Sequence, residues 1–356
     1  MGRVLSPPRY LMLAALAAAA AFALVWAWVA QMPLAFLDPE YPSWQAKLAL
    51  LARCDLGEIL VLGDSRAAAD VIPAALPVKT TNLAVGGGMP IEAYTALSQA
   101  LRCPVPPRWV VISLDAVHFM QPDLFWERTV RFGFLNPADV AEVRRVATQL
   151  GDWPEFQPRQ ADGLPDRLRG SLYALRFPPL YFNSLVKGGG FRRWWGNAAA
   201  LQAGIAARGH YFFGTDPGSS IVAVDAHLRT FLPMPVLDWY FDRLLALLAE
   251  RGIPADFVSM PMNHATWQEV RPAVRAAFEA YLARYARRYP GFHVVGPAMP
   301  SWPDRLFGDG FSHLNPEGAE LFSAILGRCL SARMELAGVP TACQGEAFLL
   351  ASGPAR

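Results

Sequence analysis

"VLGDSRAAAD", Val61–Asp70, is the stretch on which the reading of this chain turns. Its first residues end an apolar run, Ile59–Leu62, that breaks at Gly63. An acid, a hydroxyl and a cation follow, Asp64-Ser65-Arg66, and then an alanine-rich helical pattern begins. A serine at a strand-to-helix break is a nucleophile, an N-cap or an incidental residue. The rest of the chain has to decide.

Outward from this stretch, short apolar runs recur at Glu58–Leu62, Lys79–Ala84, Trp109–Leu114, Ala255–Met260 and Phe292–Val295. Helical patterns alternate with them at Ala67–Leu76, Ile91–Leu101, Pro235–Arg251, Trp267–Arg288 and Pro316–Leu336. Such alternation predicts an α/β domain, a parallel sheet with helices on both faces, wound as a three-layer fold by right-handed crossovers. Ligands of such folds bind beyond the carboxyl ends of the strands. Ser65 stands at the carboxyl end of the first. Residues 120–233 do not follow the pattern and read as an insertion forming a lid or partner-binding surface. Within it, "FRRWWGN", Phe191–Asn197, sets Trp194 and Trp195 beside two arginines. That pair stacks a sugar ring, sits at a membrane interface or simply packs under a loop.

The N-terminus carries no charge from Leu11 to Ala30, a helix about 30 Å long and therefore the thickness of a bilayer core. Arg3 and Arg9 precede it and Asp38 and Glu40 follow. The positive-inside tendency then leaves the bulk of the chain outside the cytoplasmic membrane. Residues 1–33 read as a cytoplasmic tip and uncleaved anchor, and 34–356 as an extracytoplasmic, periplasmic domain. The competing reading, a cleaved signal peptide, asks for a shorter apolar core and small residues before the cut, where Trp28 stands. Hydrophobic residues make up 53% of the 356 and charged ones 17%. The formal charge of +2 and the absence of a basic block argue against a nucleic-acid partner.

Four cysteines suit an exported domain. Cys54 and Cys103 each precede an apolar strand, so parallel neighbours bring them to one end of the sheet. Cys329 and Cys343 flank the end of the last helical pattern. No zinc-type spacing is present, and neither metal nor cofactor is expected.

A serine nucleophile needs a base, and the base an orienting group. Among six histidines, His313 in "FGDGFSHLNPEGAELF", Phe307–Phe322, has an acid, Asp309, four residues earlier. Asn315 and Pro316 supply an N-cap and first-turn proline just after it. This loop follows the last strand, at the sheet edge where Ser65 lies. His118 and His264 are further polar candidates at the cleft mouth.

With "GDSR" early and "D…HLNPEGA" late, the chain resembles the SGNH (GDSL-type) hydrolase superfamily. The resemblance implies a flavodoxin-like α/β/α fold, with Ser65 as nucleophile, His313 as base and Asp309 as its acid. It implies oxyanion donors at the Ser65 N–H and at a glycine of "NLAVGGG", Asn82–Gly88, among which Gly87 is chosen. Two departures stand out: the acid lies one residue further from the histidine than in the family pattern, and the third-block asparagine is missing after "VVISLDAVHF", Val110–Phe119. Asn263, in "SMPMNH", is a replacement candidate. The anchored topology resembles the DltD and alginate-acetylation proteins of bacterial envelopes. That implies an O-acyltransferase or esterase acting on acyl, most simply acetyl, groups of a cell-envelope polysaccharide, beside a membrane-bound O-acyltransferase. The alternative is a non-catalytic scaffold or glycan-binding partner of such an acyltransferase.

Overall fold

Successive residues of the first strand, β1 (Ile59–Gly63), face opposite ways: Ile59 and Val61 enter one apolar cluster, Leu60 and Leu62 another. A strand buried on both faces needs cover on both sides, and the computed structural model supplies it. It describes residues 6–32, 37–122, 124–158 and 163–335. Strands β2 (Thr80–Asn82), β3 (Trp109–Ser113), β4 (Ala255–Phe257), β5 (Met262–Asn263), β6 (Phe292–Val294) and β7 (Ser301–Trp302) follow. Five of them form one parallel sheet in the order β2-β1-β3-β4-β6, and β5 pairs with β7 in a short parallel ribbon. All five strands expected from the sequence belong to the main sheet.

The helices are α1 (Pro7–Gln31), α2 (Tyr41–Ala52), α3 (Ser65–Asp70), α4 (Pro90–Ala100), α5 (Pro137–Leu150) and α6 (Asp166–Ala174). After these come α7 (Phe182–Lys187), α8 (Trp194–Ala206), α9 (Pro235–Glu250), α10 (His264–Glu269), α11 (Pro272–Arg288) and α12 (Pro316–Glu335). The face bearing Leu60 and Leu62 is covered by α4, α9 and α11 through Leu97, Phe241 and Phe278. The opposite face is covered by α3 and α12 through Ala68, Phe322 and Leu326.

Two helical expectations need correction. The pattern at Ala67–Leu76 is a short α3 and then a separate 3-10 turn at Pro73–Ala75, because Pro73 pushes Ile72 out of helical geometry. Trp267–Arg288 is split at Pro272 into α10 and α11 for the same reason. The insertion is largely helical, carrying α5 to α8, of which α8 packs on the unforeseen α2 with Gly204 against Ala46.

Among the described residues α1 is the one helix long and apolar enough to cross a membrane. At 25 residues it measures about 37 Å, and of its residues Val29 is buried. Cys54 and Cys103 are joined, 49 residues apart with Cα atoms 5.5 Å apart, at the sheet end the strand positions imply. Cys329 is also disulfide-bonded, whereas Cys343 and the end of the last pattern, Leu336, lie outside the described residues.

Candidate active site

Gly63 ends β1 with its α-carbon against the neighbouring strand: a Cβ there would lie 1.9 Å from the Ser113 carbonyl oxygen. The chain turns directly into α3. Asp64 is its N-cap, accepting from the N–H groups of Arg66 at 3.0 Å and Ala67 at 3.5 Å. Ser65 is therefore the first helical residue, half-buried, with an N–H that no carbonyl of its own helix can reach.

Behind the serine lies a compact charge cluster. The second oxygen of Asp64 accepts from the Asp115 N–H at 2.8 Å and contacts His118 Nδ1 at 2.9 Å. Burial works to lift the Asp64 carboxyl, but His118, Arg66 and the Asp115 N–H together hold it below its ordinary value. Against its own burial, His118 is lifted by the same pairing. Arg66 bridges Asp115, at 3.1 Å, and Asp225, and its Nε donates to the Phe311 carbonyl at 3.3 Å. Asp64, Asp115 and His118 lie close enough together to suggest a cation site. However, the Asp64 oxygens are already occupied by N–H donors and a guanidinium enters the cluster, so the donor set does not fit a metal.

The Arg66–Phe311 contact brings the second motif alongside α3. At the other end of the helix, Asp70 Oδ1 accepts from the Leu314 N–H at 2.9 Å. His313 thus lies between two anchor points on the serine helix. Its Nδ1 meets Asp309 Oδ2 at 2.5 Å, while Asp309 Oδ1 accepts from the N–H groups of Phe311 and His313. Burial favours the neutral acid, but these bonds and the charge of His313 hold the Asp309 carboxyl below its ordinary value. The four-residue spacing works because Ser312 takes a left-handed conformation, φ 60°, tethered by its buried hydroxyl to Asn263 at 3.4 Å. Left-handed non-glycine residues cost about 1–2 kcal/mol and concentrate at functional sites. His313 Nε2 is buried and has no hydrogen-bond partner among the described residues, so the Ser65 hydroxyl is not bonded to it here. Catalytic hydrogen bonds often close only once substrate is bound.

The glycine turn reaches His313 through Phe213. Phe213 stacks on His313 at 4.7 Å, and a Cβ on Gly86 would lie 3.5 Å from that same ring. Gly88 uses its N–H on Val85 O, which removes it from the three possible oxyanion donors. Gly87 has φ 71°, and a Cβ there would meet Arg128 Nη1 at 3.0 Å. Arg128 also reaches Gly86 O at 3.3 Å and pairs with Glu40 at 2.6 Å, so a cation roofs this corner.

Asn263 is not the missing donor. Both hydrogens of its amide are committed, to Ser219 O and Ile221 O at 2.9 Å each, and its oxygen caps α10 through the Thr266 N–H. It is a structural residue that fixes Ser312 and the loop at 219–221. Trp194 packs against the main core and Trp195 is 81% exposed at the head of α8, a placement that adds nothing to the sugar-stacking role read from the sequence. His264 meets Ser301 and Gln268 at the start of α10. Sequence reading left Arg66, Asp115 and Asp225 without roles. Asp115 had a signal, since it follows β3 at the same sheet edge as Ser65; Asp225, deep in the insertion, had none. No protein-family model matches this chain, and no curated protein matches it.

Proposed function

We propose that this chain is a membrane-anchored, serine-dependent acyl-transfer enzyme of the SGNH type. The observation that carries the reading is His313: Nδ1 is held by Asp309, Nε2 is buried and unpartnered, and its loop is bonded to both ends of the Ser65 helix. A strand order of 2-1-3-4 followed by the last strand of the sheet is that of flavodoxin-like doubly wound folds and supports the family likeness.

In this reading Ser65 Oγ attacks the acyl carbonyl as its proton passes to His313 Nε2. The oxyanion is met by the N–H groups of Ser65 and Gly87, with the Arg128 cation beside them. The departing alkoxide takes the proton from His313, leaving an acyl-serine. Water or a saccharide hydroxyl then gives its proton to His313 and attacks the ester, regenerating Ser65. The substrate is an acyl, most simply acetyl, ester of an envelope polysaccharide, handled outside the membrane that α1 crosses, in concert with a membrane-bound O-acyltransferase.

Covalent labelling of the full chain by a fluorophosphonate, read by intact mass, tests this. One adduct lost in Ser65→Ala and strongly slowed in His313→Ala is the expected result. No adduct on folded wild-type protein would sink it. The unfilled third oxyanion position favours the second reading, a non-catalytic scaffold for a membrane acyltransferase, which predicts that outcome.

A further inference from the structure

Helix α1 is not a free tether. Trp26 donates its indole N–H to Leu175 O at 2.7 Å, and Arg176 donates to Ala30 O at 3.0 Å. The Phe177 ring meets Phe22 and Trp26 edge-on at 5.9 and 5.1 Å, and Phe191 meets Trp28 at 5.8 Å. Phe22 lies eight residues before Ala30, so at 1.5 Å per residue it sits about 12 Å below the outer end of the helix. If α1 spans a bilayer with Ala30 near its outer surface, whatever touches Phe22 lies below the headgroups. The part of the insertion beside it has a matching surface. Phe182 and Val186 share one face of α7 at 53% and 76% exposure, and Trp195 follows Phe191 by one turn. Exposed arginines, Arg192 and Arg193, stand between these aromatic residues. Apolar and aromatic side chains rimmed by cations are the composition of a segment lying in a membrane interface.

We infer that the insertion from Leu175 to Trp195 is seated in the bilayer leaflet at the C-terminal end of α1, with Phe177, Phe182, Val186 and Trp195 among the acyl chains and Arg192 and Arg193 at the lipid phosphates. The inference rests on the reading of α1 as a membrane span. Its consequence for the site is positional. Arg193 and Glu40 both lie within electrostatic reach of the half-buried Tyr211 hydroxyl, Tyr211 meets Phe213 at 5.1 Å, and Phe213 stacks on His313. Through Tyr211 and Phe213 the seated segment is thus linked to His313, which brings the proposed site toward the lipid surface from which an acyl donor of a membrane protein would emerge.

The test uses the full chain in phosphatidylcholine vesicles containing one-fifth phosphatidylglycerol. All native cysteines of the described residues are paired, so single nitroxide labels are placed through Phe182→Cys, Val186→Cys and Trp195→Cys. Leu16→Cys in α1 and Arg287→Cys on α11 are the references, and retained thermal unfolding confirms each fold. Collision with a water-soluble nickel chelate is expected to be several-fold lower at 182, 186 and 195 than at 287, with oxygen collision raised as at 16. Water-exposed labels at 182, 186 and 195 with a lipid-buried label at 16 would overturn the inference while leaving the anchor intact. Labels shielded from both quenchers would also overturn it, in favour of a protein covering the patch. A water-exposed label at 16 would remove the anchor reading itself.

Discussion

The backbone N–H of Leu314 donates to Oδ1 of Asp70 at 2.9 Å, so the last residue of the serine helix grips the residue next to the histidine. Burial lifts the Asp70 carboxyl well above its ordinary value, against the Leu314 N–H and the Arg66 charge. Its second oxygen has no hydrogen-bond partner among the described residues. Asp70 thus holds the His313 loop through one carboxyl oxygen, and its burial favours the neutral form. Asp70→Asn keeps an acceptor for Leu314 and should label with fluorophosphonate nearly as fast as wild type. Asp70→Ala releases the loop, and a shift of about 1 Å at His313 should slow labelling roughly 100-fold.

In the proposed mechanism Asp309, bonded to His313 Nδ1, orients the ring and balances the charge of the imidazolium that forms. Asp309→Asn should reduce the acylation rate by on the order of 1,000- to 10,000-fold with the fold retained. Because its folded pKa is depressed, the stability Asp309 contributes is present above the ordinary carboxylate pKa. It is lost as pH falls through the folded value. Acid unfolding curves of wild type and Asp309→Asn should therefore converge at low pH and separate above it.

Asn263→Ala separates a cap from a catalytic donor. Stripping its partners leaves the buried Ser219 carbonyl, the part-buried Ile221 carbonyl and the buried Thr266 N–H unmatched, which should cost on the order of 2–3 kcal/mol in thermal stability. The labelling rate of the folded protein should change by less than about tenfold, whereas loss of an oxyanion donor costs about 100- to 1,000-fold.

Lys47, fully buried on α2, donates to the Gly209 carbonyl, its one hydrogen-bond partner among the described residues, and burial lowers its pKa from 10.5 to about 7. Between those values the unfolded chain holds a proton that the folded chain has given up. Stability therefore rises with pH across that window, at most about 1.4 kcal/mol per pH unit. Lys47→Met should flatten this slope and raise the unfolding midpoint at pH 7. An unchanged slope in the variant would mean that the lysine is solvated in the folded protein.

Much of the sheet was legible because strands buried on both faces leave unbroken apolar runs, as at Ile59–Leu62 and Trp109–Leu114. The loop-to-helix junction at His313 was legible too, because Asn315 and Pro316 are local signals: the Asn315 oxygen does accept from the Gly318 N–H. The charge cluster was not. Arg66 and Asp225 are 159 residues apart, and nothing near Asp225 marks it as a partner. Asn263 misled because an amide just beyond a strand looks the same in sequence whether it caps a helix or faces a substrate. The insertion was opaque because its prolines and aromatics interrupt the periodicity by which helices are recognised, although α8 still finds a groove against α2.

The bonds that seat His313 beside Ser65, Arg66 to Phe311 and Leu314 to Asp70, join residues 245 and 244 positions apart. During synthesis Ser65 is therefore made long before His313, and the two motifs cannot come together until nearly the whole domain has been produced and folded. On the proposed reading, a chain still being threaded through a membrane would carry an inert hydroxyl, and acyl transfer would begin only where folding finishes.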